Sequence, residues 1–124
     1  MERSTRQRAA IIHVLEAMGR PVSPREIHAG ARQAVPGLGM ATVYRTIAAL
    51  VDDGAVHVVK LPGDPARYEP AGLDHHHHFH CRKCHRVYDV AGCPKGIAAV
   101  APRGFRVDRH ELVLYGTCRQ CRAP

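Results

Sequence analysis

At 124 residues with 45% apolar side chains, the chain has room for one compact domain, or for two small ones that draw stability from metal or a partner; a large enzyme with a deep cleft is not expected. No apolar run approaches the roughly 20 residues needed to cross a bilayer, and the opening MERSTRQRAA has no apolar stretch behind its charges, so a soluble, cytoplasmic protein with no membrane partner is expected. Eighteen Lys and Arg against eleven Asp and Glu leave a formal charge of +7, which favours a polyanionic partner held through its phosphates.

Arg3, Arg6, Arg8, Arg20, Arg25, Arg32 and Arg45 crowd the first half of the chain. Between Ser4 and Gly19, Ile11, Val14, Leu15 and Met18 recur at helical spacing and predict a helix with one apolar face, closed by a glycine suited to the left-handed position past a helix end. Ser23-Pro24-Arg25-Glu26 then has the form of a capping box with proline at the first helical position, so a second helix is predicted to run through Ile27 and Ala31. After the break at Val35-Pro36-Gly37, the segment from Ala41 to Asp53 places Val43, Ile47, Leu50 and Val51 on one face, and Gly54 closes it. AVHVVKL and ARYEP flank the turn cluster PGDP and predict a hairpin. Three helices and a hairpin point to a winged helix-turn-helix, whose third helix enters the major groove of DNA. Thr42 and Arg45 lie opposite the apolar face of that helix and Tyr44 at its flank; with Arg8 they are the candidates for DNA contact. Arg45 suits either a guanine edge or a phosphate.

The second half changes character. Four of the five cysteines form two pairs, Cys81-Arg82-Lys83-Cys84 and Cys118-Arg119-Gln120-Cys121, and in a cytoplasmic setting that argues for metal ligation over disulfides. Each CxxC presents two thiolates to one ion, and two such knuckles complete a closed tetrahedral site of the structural zinc type; a redox pair or unrelated core cysteines account less well for two matched pairs. Into the first knuckle runs DHHHHFHCRKC. As a strand, that run turns His75 and His77 to one face and His76, His78 and His80 to the other, so it can serve two metal sites rather than wave as a solvated polyhistidine stretch. Further donors stand at His57 and Glu69 on the hairpin, at Asp89, and at Cys93 and His110. Imidazoles suit zinc, iron, nickel and copper, and added carboxylates move the preference toward harder ions.

GMATVYRT at 39–46, HHHHFHCRKC at 75–84 and LYGTC at 114–118 together resemble the ferric uptake regulator (Fur) family over nearly the whole chain. The opening RSTRQRAA and His57 are most similar to its zinc uptake regulator (Zur) branch. The resemblance implies an α/β protein: an N-terminal winged helix-turn-helix domain over 1–70 and a small α/β dimerisation domain over 71–124 that holds a structural zinc on Cys81, Cys84, Cys118 and Cys121. It implies a homodimeric, metal-dependent repressor of metal-uptake genes that binds double-stranded operator DNA, has no small-molecule substrate other than metal ions and is not an enzyme. The regulatory metal, at the hinge between the domains, would take His57, Glu69, His76 and His78, with Asp89 as a fifth ligand or a support behind them. Pro21 stands where iron-sensing members add a histidine, and Ala71 where many zinc regulators add a cysteine. A second site would take His75, His77 and His110, with Cys93 near the place of an acidic ligand on a helix that is shortened in AGCPKGIAAVAPRG; Cys93 is either a ligand or a small buried hydrophobe. His80 is left without a role. Within the same family, Fe2+ or Mn2+ at the regulatory site, or a peroxide sensor, is the alternative to zinc. A zinc hydrolase or deaminase would need H-E-x-x-H, or H-x-E with P-C-x-x-C, and neither motif is present. A metal-storage or delivery protein would use the same histidines but has no need of a winged helix.

Overall fold

The computed structural model describes residues 2–122, which fall into two compact units divided after Leu73. The first unit runs α1 (Glu2–Met18), α2 (Pro24–Ala31), α3 (Met40–Asp52), β1 (Val56–Val59) and β2 (Arg67–Pro70). The capping box at the start of α2 is formed in both directions: Ser23 Oγ accepts the Glu26 amide at 3.2 Å and the Glu26 carboxylate accepts the Ser23 amide at 3.1 Å. Ile11, Val14 and Leu15 of α1, Ile27 and Ala31 of α2, and Val43, Ile47 and Leu50 of α3 make one buried core, each large aliphatic side chain contributing about 1.5–3 kcal/mol by leaving water. Met18 departs from its expected place on the inner face and is 38% exposed, because it ends α1 just where Gly19, at φ +66°, turns the chain away from the core. Helices α1 and α2 cross closely at Gly30, where a Cβ would stand 2.9 Å from Val14 Cγ2.

Strands β1 and β2 pair antiparallel with His57 opposite Glu69. Val22, in the turn between α1 and α2, exchanges two 2.9 Å backbone hydrogen bonds with Tyr68, so the wing is stitched back onto the helices. A chain of buried and half-buried charges reinforces that seam. Arg67 donates twice to Asp64, at 2.7 and 3.2 Å, and approaches Glu26 at 3.4 Å, while Arg20 donates to the other Glu26 oxygen at 2.6 Å. Burial pushes the Glu26 carboxyl up, but the Arg20 hydrogen bond, the Ser23 amide and the two guanidinium charges together hold it below the ordinary carboxylate range.

The second unit runs β3 (His77–Cys81), β4 (Val87–Val90), a 3-10 helix (Ile97–Val100), β5 (Val113–Gly116) and α4 (Arg119–Arg122). Its sheet has the order β4-β3-β5, with β3 central, antiparallel to β4 and parallel to β5. The strand predicted over the histidine run begins at His77, so His75 and His76 lie just ahead of the paired residues. Among the described residues of this unit, the buried ones are His77, Cys81, Val87 and Cys118, far too few aliphatics to stabilise a domain by burial alone. No helix among the described residues is long and apolar enough to cross a membrane.

Glu26→Gln takes the charge from between Arg20 and Arg67, whose side chains are 10% and 9% exposed, and is expected to lower first-unit stability by about 1–3 kcal/mol at neutral pH. A carboxyl whose folded pKa lies below its unfolded value stabilises fully above the unfolded pKa and loses that contribution as pH falls through the folded one. The gap between wild type and variant should therefore close in acid. Helical circular dichroism melts across pH check this, and a gap of constant size would contradict the ionic role.

Candidate metal centres

The two CxxC knuckles meet. The four Sγ atoms of Cys81, Cys84, Cys118 and Cys121 lie within 4.8 Å of one another, and Cys84 Sγ stands 3.8 Å from Cys118 Sγ. Four sulfurs at about 2.3 Å from a tetrahedral zinc are separated by about 3.8 Å, so the spacing fits that ion. Cys81, at the end of β3, accepts the amides of Cys84 and Cys118, both at 3.4 Å. The Cys84 amide above all lowers the Cys81 pKa to about 5, while hydrogen bonding to Cys118, followed by burial, pushes Cys121 up to about 12. Four crowded sulfurs do not all ionise without a cation among them. The Cys121 amide, followed by the Tyr88 hydroxyl, lowers the Cys118 thiol; Tyr88 is a neighbour that CxxC spacing gives no means of finding.

On one side of β3, His76 Nε2 and His78 Nε2 approach the same oxygen, Asp89 Oδ1, at 3.3 and 3.5 Å. The register explains the meeting, since His78 faces Asp89 directly across the β3–β4 pair and His76 lies two residues earlier on the same side. The outer nitrogen of His76 is 2.7 Å from the Asp74 carbonyl, the kind of backbone contact that orients a ligating imidazole. His57 and Glu69, cross-strand partners on the wing, belong to the first unit, where Glu69 is only 2% exposed.

On the other side, the donor atoms of His75, His77, Cys93 and His110 also lie within 4.8 Å of one another. Cys93 Sγ is 3.0 Å from His110 Nε2 and 3.5 Å from His77 Nε2, and the two imidazole nitrogens are 3.2 Å apart. Cys93 is exposed, which overturns its reading as a small buried hydrophobe. The shortened helix of AGCPKGIAAVAPRG is a single 3-10 turn, Ile97–Val100, and Cys93 precedes it in the loop after β4. Burial, with His75 and His110 nearby, holds the His77 pKa below its ordinary value and keeps the ring neutral, as ligation requires. The Leu112 amide, however, donates to His77 Nδ1 at 3.1 Å. In that arrangement the neutral ring carries its proton on Nε2, and holding an ion through Nε2 would require the proton on Nδ1, facing the amide.

His80 joins none of the three clusters; its ring lies 5.8 Å from that of Tyr115 and 6.1 Å from that of His85. On α3, with Val43, Ile47 and Leu50 turned inward, Tyr44 is 55% exposed and the exposed Arg45 donates to Thr42 Oγ1 at 3.1 Å. Arg8 meets Asp53 at 3.2 Å with both side chains well exposed, a contact of under about 1 kcal/mol that a phosphate can displace.

A winged-helix unit followed by a sheet with three donor clusters defines a metal-dependent transcription regulator. Residues 2–115 match the Ferric uptake regulator family, and the chain belongs to that family, whose members are regulators of transcription and not enzymes. It is 32% identical to ferric uptake regulation protein 2 of Mycolicibacterium fortuitum, across 96% of this chain and 85% of that one. It is 35% identical to the zinc uptake regulation protein of Mycobacterium tuberculosis, across 98% and 95%. Among solved structures, a zinc-bound manganese uptake regulator matches with a TM-score of 0.78 at 27% identity, over 90% of this chain and 87% of that one.

Loading the four-cysteine cluster at neutral pH must deprotonate Cys121, whose pKa stands near 12 without an ion. Zinc added to the reduced, metal-free protein in a weakly buffered indicator solution should acidify it, and loading without proton release would contradict the raised Cys121 thiol.

Proposed function

We propose that the chain is a zinc-responsive repressor that binds operator DNA as a homodimer and controls metal-uptake genes. The observation that carries this reading is the convergence of His76 and His78 on Asp89, within 3.5 Å, on one side of a strand whose end supplies a separate four-sulfur cluster. In this reading zinc on Cys81, Cys84, Cys118 and Cys121 is structural, because four sulfurs leave it no open position. The regulatory ion takes His76 and His78, is completed by Glu69 and His57 from the winged-helix unit, and has Asp89 as fifth ligand or as support for the imidazoles. Ligands drawn from both units let the ion bind one relative orientation of them better than others, and only such a difference in affinity shifts the population toward the DNA-binding form.

Several observations support the finer parts. Pro21 is fully buried and offers no donor in the place where iron-sensing relatives add a histidine, while His57 stands opposite Glu69, which favours zinc over iron. Two imidazoles with carboxylates also accept Fe2+ or Mn2+, so a metal panel is part of the test. For DNA, α3 offers Thr42, Tyr44 and Arg45 on its outer side, with Arg8 as a phosphate contact. For the dimer, β5 is an edge strand with Leu114 and Tyr115 43% and 44% exposed, a pairing edge suited to a second copy.

The double variant His76→Ala/His78→Ala should lose zinc-dependent operator binding while keeping the zinc of the four-cysteine cluster, read by fluorescence anisotropy and metal analysis; undiminished zinc dependence removes these histidines from the sensing site. Arg45→Ala should weaken operator binding by about 1–3 kcal/mol at fixed salt without changing metal content. An unaltered affinity would place the DNA surface elsewhere than on α3.

A further inference from the structure

We propose that His28 is a positioning residue for DNA recognition, fixing the entry of α3 by donating a hydrogen bond to the Leu38 carbonyl. The inference rests on the reading above that α3 meets operator DNA. His28 stands in the second turn of α2, half-buried beside Ile27, and its Nε2 lies 2.7 Å from the carbonyl oxygen of Leu38, just ahead of α3. A carbonyl oxygen only accepts, so Nε2 carries the hydrogen, and both the neutral Nε2–H ring and the imidazolium make this bond.

The start of α3 needs such a hold from outside. Its N-cap is Gly39, which has no side chain to bond the first turn, and no acidic residue stands in that turn. The connection between the helices is fastened instead at Leu38: the side chain is buried in the core, the amide donates to the Val35 carbonyl at 3.0 Å, and the carbonyl accepts from His28. One residue later the helical ladder begins, with the Val43 amide on the Gly39 carbonyl at 3.2 Å. Thr42, Tyr44 and Arg45, the outward candidates for DNA contact, all lie within the first two turns after this fastening. Contacts to base edges tolerate displacements of only about 0.5 Å, so slack at Leu38 reaches them. Attraction of the arginines to phosphates is insensitive to such detail and persists. His28 therefore bears on discrimination between sequences rather than on attraction to DNA.

The test compares His28→Phe, which keeps a ring but loses the donor, with His28→Gln, whose side-chain amide reaches about as far. In the zinc-loaded full-length protein, His28→Phe should weaken operator binding by about three- to tenfold, the scale of one hydrogen bond. Binding to unrelated DNA, its salt dependence and the zinc content should hold, and His28→Gln should recover most of the loss. Hydrogen exchange gives a readout without DNA: the Leu38 and Val43 amides should exchange faster in His28→Phe and return toward wild type in His28→Gln. Unchanged operator affinity in His28→Phe, or unchanged exchange at those amides, overturns the proposal. So does an equal loss on operator and unrelated DNA, which would mark a general loss of fold, or a shallower salt dependence, which would make His28 a phosphate contact of its own. A wild type that binds no operator sinks the reading of α3 itself, and this role with it, whatever the amides do.

Discussion

The two-residue period of β3 and the segment leading into it is the constraint on which the donor chemistry of this chain depends. Side chains along an extended backbone alternate between faces, so four consecutive histidines are sorted into two pairs without any further instruction. His75 and His77 look toward Cys93 and His110, and His76 and His78 toward Asp89, while Cys81 ends the strand inside the sulfur cluster. Because β3 is the central strand, backbone pairing on both edges fixes these positions: β4 brings Asp89 opposite His78, and the residue before β5, Leu112, accepts the His78 amide with its carbonyl and gives its own amide to His77.

The two units solve the problem of stability differently. In the first, three amphipathic helices bury a contiguous aliphatic core, and the Arg20, Glu26, Arg67 and Asp64 charges join α2 to the wing around it. The second buries hardly any aliphatic side chains, and two of its most buried residues are cysteines whose sulfurs crowd together. A small sheet of that composition depends on whatever neutralises those sulfurs. In the function proposed above, the chemistry that senses metal and the chemistry that keeps the unit folded would be of one kind, separated by donor type: sulfur for closure, imidazole and carboxylate for exchange.

Much of this could be read from the residues because the signals were local. The capping box of Ser23 and Glu26, the glycine stops at Gly19 and Gly54, and the inner face of Val43, Ile47 and Leu50 follow from spacings of three and four residues. The sorting of the histidines follows from strand alternation alone. What escaped depends on partners distant in sequence or on backbone atoms. Nothing in the pattern says that β3 pairs parallel with β5, or that the Leu112 amide faces His77 across 35 residues. Met18 was misplaced because helical periodicity continues on paper to the last residue while the chain is already turning away at Gly19. Cys93 cannot be assigned from composition, since exposure, which distinguishes a reachable thiol from a packed one, is a property of the folded loop after β4.

The alternation along this segment also decides what kinds of inherited change the chain can absorb. A substitution at His80, which belongs to no donor cluster, leaves the alternation of the other histidines unchanged. Inserting or deleting a single residue between His78 and Cys81 is a different event, because it turns every preceding histidine to the opposite face relative to the knuckle. The imidazoles now beside Asp89 would then face Cys93 and His110, and the reverse, with no donor lost and both clusters rearranged. The segment is therefore free to drift in spelling at a few letters but not in length.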